Sequence, residues 1–141
     1  MYRKILVPTD DSEQAKRAAK HAKWIANSSK AEILVLNVFE TSSLSPILSR
    51  ELRKDMKRLW KDEAKNSLKS VLNIFAGSDF NVNSQVKEGR PADTILQTID
   101  DEDIDLVVMG SSGKNGIDRI FLGSVAENVA RSANSSVLII H

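Results

Sequence analysis

The 141-residue chain contains no cysteine. That excludes thiol catalysis, a disulfide framework and a cysteine zinc site. Its two histidines, His21 and His141, lie far apart in sequence, so a histidine metal centre or a Ser-His-Asp triad has little to draw on. No apolar run approaches the roughly 20 residues of a membrane-spanning helix. Met1-Tyr-Arg-Lys leads straight into a short strand-like run, unlike a signal peptide. A soluble, cytoplasmic protein is the expectation. Neither sign of charge dominates: 20 basic against 19 acidic groups leave +1, which argues against a global attraction to nucleic acid or an anionic membrane. The near-zero total hides a polarity. Residues 1–70 carry 15 basic and 9 acidic groups, whereas residues 71–141 carry 5 and 10. The basic excess falls on the first two helical segments and the acidic excess mainly on the third.

What is present is ordinary for a globular chain: 41% apolar and 28% charged residues. At this length roughly 70% of the unfolded surface can be buried without a staple. A single domain over residues 1–141 is expected, with no repeat or linker.

Apolar patterning alternates between two periods. Ile5-Leu-Val7, Ile33 to Phe39, Phe80 to Lys87, Ile104 to Met109 and Ser136 to Ile140 have the composition of strands. Four helical patterns separate them. Ala15, Ala18, Ala19, Ala22, Ile25 and Ala26 mark the first, behind N-cap candidates at Thr9 to Ser12. The second runs from about Pro46 to Ala76, with an apolar stripe of Leu48, Leu52, Met56, Leu59, Leu68, Val71, Leu72 and Phe75, and Gly77 as its stop. The third begins at Gly89-Arg-Pro91 with Ile95, Leu96 and Ile99 inward. The fourth is Ser124 to Ser132. Strict β/α alternation with nearly continuous apolar strands implies a parallel sheet covered by helices on both faces.

In such a sheet ligands bind beyond the carboxyl ends of the strands. The loop after the fourth strand reads Gly110-Ser-Ser-Gly113-Lys-Asn-Gly116, and Gly123-Ser124 opens the next helix. Glycines expose backbone N–H groups, and a helix start adds unpaired donors and a positive dipole end. The hydroxyls of Ser111, Ser112 and Ser124 and the charge of Lys114 suit a polyphosphate. A flexible loop needing glycine for its turns fits the glycine count equally well. The spacing is not a P-loop, since two residues separate the glycines and Asn115 stands where Ser or Thr belongs. A dinucleotide fingerprint after the first strand is also absent.

The spacing Gly-x2-Gly-x9-Gly-Ser directly after Asp105-Leu-Val-Val-Met-Gly110 resembles the ATP-binding branch of the universal stress protein family. So do Ile5-Leu-Val-Pro-Thr-Asp10 with Ser12, Leu36-Asn-Val38, Gly89-Arg-Pro-Ala92 and Gly123-Ser-Val-Ala126. Many members carry His where this chain has Asn37. The resemblance implies an α/β fold of the Rossmann-like, adenine nucleotide alpha hydrolase-like kind, an open five-stranded parallel sheet of order 3-2-1-4-5. It implies that Asp10 lies at the nucleotide, beside Pro8 and Thr9, and that the Val38 backbone meets adenine. Gly110, Ser111, Ser112, Gly113, Lys114, Asn115 and Gly116 would cradle phosphates, with Gly123, Ser124, Val125 and Ala126 binding from the helix end. Met109 lies at the site's edge and reads equally as core. Asp10 could instead cap a helix, or help hold Mg²⁺ with the phosphates. Asp118, Arg119 and His21 fit surface side chains. No general base stands out.

ATP and Mg²⁺ are therefore the expected ligands. The expected role is a nucleotide-dependent stress-response or signalling module with little hydrolysis. A slow ATPase or an autokinase acting on Ser112 or Ser124 is the alternative enzyme. The family likeness also implies a homodimer through the terminal strand Val137 to Ile140. A third reading uses the basic long helix to bind a partner or nucleic acid. Its bland counterpart is a solvated face paired with Glu51 and Asp55.

Overall fold

The computed structural model describes residues 1–112 and 122–141. Five strands form one parallel sheet: β1 (Lys4–Pro8), β2 (Glu32–Phe39), β3 (Val82–Glu88), β4 (Leu106–Gly110) and β5 (Ser136–Ile140). Their order is β3-β2-β1-β4-β5, as the family likeness implied. The helices are α1 (Glu13–Ser29), α2 (Arg50–Leu72), α3 (Pro91–Asp101) and α4 (Ser124–Ser132).

The central strands are apolar on both faces because both faces are covered. Ile5, Val7, Ile33, Val35 and Val108 pack under the alanines of α1 and the end of α2. Leu6, Leu34, Leu36, Val107 and Met109 point the other way, onto α3 and α4. The alanine face of α1 lets that helix lie close to the sheet; Ala18, Ala19, Ala22 and Ala26 are fully buried. Ser12 caps α1 by accepting from the Ala15 N–H at 3.1 Å.

The second helix departs from expectation. It starts at Arg50 rather than Pro46 and ends at Leu72, followed by a 3-10 turn, Asn73–Phe75. Its apolar stripe is not all core. Ala64, Leu68 and Val71 are buried, but Leu59 is 62% exposed and Leu52 44%. At 100° per residue Leu52 and Leu59 lie about 160° and 180° around the helix from Leu68, so they face away from the core, whereas Arg53, Met56 and Trp60 are half-buried. Buried Asn37 ties the covered half to β2, its Nδ2 donating to Ala64 O and Ser67 Oγ.

The two sheet edges differ. On edge strand β3, Gln85 donates to Glu102 and Lys87 donates to the Thr98 hydroxyl at 3.0 Å, so polar side chains lie between the strand and α3. Edge strand β5 presents Val137, Leu138 and Ile139, all half-buried.

Candidate functional site

The connections leave β1 toward β2 on one side and β4 toward β5 on the other, so the strand order reverses between β1 and β4. A cleft of about 490 Å³ opens there, at the carboxyl ends of the strands. One wall is apolar: Leu36 and Val38 from β2, Pro91 and Ile95 from α3, and Met109 from β4. The other side is polar, formed by Thr9, Asp10, Ser12, Ser112 and Ser124. An apolar slot joined to a polar end suits a flat heteroaromatic ring carrying a hydrophilic tail.

The turn after β1 places Asp10. Asp11 takes a positive φ of 65°. Its N–H donates to the Thr9 hydroxyl at 3.1 Å, and the Ser12 N–H donates to the Asp10 carboxylate at 3.0 Å. Ser12, not Asp10, is therefore the cap of α1, which resolves one alternative left open by the sequence. Asp10 is the only ionisable side chain lining the cleft among the described residues.

The polar end is built on α4. Its N-cap, Gly123, has no side chain, and no side chain caps the helix. The first N–H groups of α4 consequently lack the partner that Ser, Thr or Asp would supply. Gly123, Ser124, Val125 and Ala126 all line the cleft.

The glycines here serve packing as well as access. A Cβ on Gly110 would sit 2.9 Å from Gln14 Cβ, and one on Gly123 would sit 3.0 Å from Ser111 O. Gly110 lets β4 run against the first turn of α1. Gly123 lets α4 start against the end of β4, with its N–H donating to Ser111 O at 2.7 Å.

Pro8, Thr9, Asp10, Val38, Met109, Gly110, Ser112, Gly123, Ser124, Val125 and Ala126 thus come together around one cleft. Ser111 does not line it. It is 3% exposed, and its N–H donates to Ile140 O, joining the loop stem to β5. Gly113, Lys114, Asn115 and Gly116 lie outside the described residues, as do Asp118 and Arg119. His21 is exposed on α1, with its Nδ1 2.9 Å from Arg17 O.

Sequence reasoning missed Gln14, Pro91 and Ile95 as site residues. Ser112 Oγ donates to Gln14 Oε1 at 2.8 Å, so α1 holds the stem of the loop. No motif marks Gln14. Pro91 and Ile95 were legible as helix start and inward face, and their spacing of four places both on the flank of α3 above the cleft.

Fold and cleft define a doubly wound α/β protein with a cleft at the switch point of its sheet, where such folds place ligands. The chain belongs to the universal stress protein family, whose sequence profile matches residues 1–141. It is 35% identical over 140 residues to universal stress protein MJ0531 of Methanocaldococcus jannaschii, covering 99% of this chain and 82% of that one. The solved structure of MJ0577, from the same organism, superposes with a TM-score of 0.89 at 34% identity. That match covers 99% of this chain and 96% of MJ0577. A universal stress protein solved in complex with cAMP superposes with a TM-score of 0.64 at 28% identity, covering 99% and 97%. Among the described residues no helix is long and apolar enough to cross a membrane.

Proposed function

We propose that this chain binds ATP in the switch-point cleft and acts as a nucleotide-dependent stress-response module in the cytoplasm. The observation carrying this reading is the uncapped start of α4 opening onto a cleft with an apolar slot. Adenine lies between Val38 and Met109 on one side and Ile95 on the other. Ribose lies at Asp10 and Thr9. The phosphates meet the Val125 and Ala126 N–H groups and the hydroxyls of Ser112 and Ser124, and the family likeness adds Gly113, Lys114, Asn115 and Gly116 as further phosphate contacts. The relative solved with cAMP supports an adenine nucleotide as the ligand class.

Asp10 and the serine hydroxyls are hard oxygen donors, which suit Mg²⁺ shared with phosphate oxygens. No group of three or more His, Cys, Asp or Glu that could hold a metal occurs among the described residues. The metal therefore arrives with the nucleotide. Hydrolysis is slow or nil because Asp10 is the sole ionisable lining group described, and a carboxylate committed to the ligand is a poor general base. The β5 edge pairs with a second copy to form a homodimer, since its half-buried apolar residues end the sheet.

The test is to denature the purified protein and chromatograph the supernatant for nucleotide, then titrate a labelled ATP analogue into emptied protein. Saturable binding, lost in Val38→Trp with the helical circular dichroism retained, is the expected result. No binding at about 1 mM nucleotide, an affinity weaker than about 4 kcal/mol, would end the proposal.

A further inference from the structure

The charge polarity of the sequence becomes two faces of the molecule. Helices α1 and α2 cover one side of the sheet and carry 12 basic and 5 acidic side chains, a net of +7. Helices α3 and α4 cover the other side and carry 1 basic and 4 acidic, a net of −3. Of these, α2 carries 8 basic and 4 acidic side chains and α1 carries 4 and 1; what sets α2 apart is the order of its basic residues. Lys54, Arg58, Lys61, Lys65 and Lys69 follow one another at intervals of four, three, four and four residues, a single ridge along the helix. At 1.5 Å per residue it is about 22 Å long.

All five side chains are exposed. No ion pair involves any of them among the described residues, and the pairing expected with Glu51 and Asp55 does not form. Lys57, off the ridge, pairs instead with Glu88 at 3.3 Å. The flank bearing Ser70 meets Asp11 in the turn before α1, so the ridge on the other flank is turned away from α1 into solvent.

From this surface we propose that the α2 ridge docks the phosphodiester backbone of a nucleic acid duplex, without reading its sequence. A ridge of about 22 Å spans about six base pairs at 3.4 Å each. No aromatic residue lies on it, so bases are not stacked as in single-strand binding. A membrane surface is the wrong partner. Helices that lie on membranes bury a broad apolar face opposite their basic one. Here the apolar face of α2, with Ala64, Leu68 and Val71, is already buried in the protein, which leaves only Leu52 and Leu59 exposed, about 130° around the helix from the ridge at 100° per residue. This site is separate from the nucleotide cleft and does not rest on it.

The experiment follows binding of a short labelled duplex by fluorescence anisotropy as salt is raised. Five neutralised phosphates give a slope of log K against log salt near −4.5, about a 500-fold loss between 50 and 200 mM. Replacing Lys54→Gln, Lys61→Gln and Lys65→Gln together reduces the slope by about 2.7, leaving about a 12-fold loss over that range. Lys20→Gln, on the exposed face of α1, leaves the slope unchanged. Circular dichroism confirms that the exposed substitutions leave the fold intact. No binding at 50 mM salt, or a triple variant with the original slope, overturns the proposal. Equal, equally salt-sensitive binding to polyglutamate or to phosphatidylserine vesicles overturns the assignment of the partner.

Discussion

Replacing Gly110 by alanine tests whether β4 and α1 really meet as closely as described. Gly110 does not have a positive φ, so alanine meets no backbone penalty and the outcome isolates packing. The new Cβ would lie 2.9 Å from Gln14 Cβ and 3.2 Å from the Gln14 carbonyl carbon, where carbon contacts are comfortable at about 3.5–4.0 Å. The first turn of α1 must retreat by several tenths of an ångström. Overpacking of this kind costs about 1–3 kcal/mol. Stiffening the unfolded chain returns about 0.4–1 kcal/mol. The net loss is about 0.5–2 kcal/mol, and a thermal melt should fall by about 2–8 °C for a chain of this length. Because Gln14 also holds Ser112, nucleotide affinity should weaken alongside. The companion variant is Gln14→Gly, which removes the closest contact. Combined with Gly110→Ala it should be less unstable than the two losses added, by at least about 0.5 kcal/mol. An unchanged melt in Gly110→Ala, or strict additivity in the pair, would refute the close approach.

Three further outcomes follow from the packing and charges. Leu68→Ala removes a side chain 4% exposed and should cost about 2–5 kcal/mol in chemical unfolding, whereas Leu59→Ser should stay within about 0.5 kcal/mol. Equal effects would contradict the division of α2. Thr98→Val strands the Lys87 ammonium and removes the bond to Thr94 O at 2.7 Å, for a loss of about 1–2 kcal/mol by the same measurement. The Lys4 and Gln85 side chains hold the Glu102 carboxyl below its ordinary value of 4.5. A depressed carboxylate stabilises the fold above its unfolded pKa and ceases to as pH falls through the folded one. Glu102→Gln should therefore flatten the decline of the melting temperature below pH 4.5, and an unaltered acid profile would count against the contact.

Much of this fold was legible because burial on both faces leaves a plain mark. Ile33 to Phe39 is nearly all apolar, and only a covered parallel strand tolerates that. The bounds of α4 and β5 agree with the sequence reading residue for residue. The strand order was not legible from the residues; it came with the family likeness. The stripe on α2 misled because Leu52 and Leu59 are not in phase with Leu68: at 100° per residue they stand about 160° and 180° around the helix from it, on the face turned from the core. At the site, motif residues such as Asp10 and Gly123 announced themselves through turn and cap chemistry. Gln14 did not, because its role depends on a helix and a loop 98 residues apart meeting in space.

An open sheet has two free margins, and a unit that joins through both grows without end. Here the margins are unlike. At β3, Lys87 and Gln85 lie against α3, and on that face a strand arriving there would meet charge and amide, although Val82 and Val86 line the other face. At β5 the margin is Val137, Leu138 and Ile139. In the proposed homodimer, pairing of β5 with its copy would use up both apolar margins in one event, and assembly would stop at two copies. In that assembly the polar residues on β3 would act as a terminator, keeping a small sheet from becoming the repeat of a fibre.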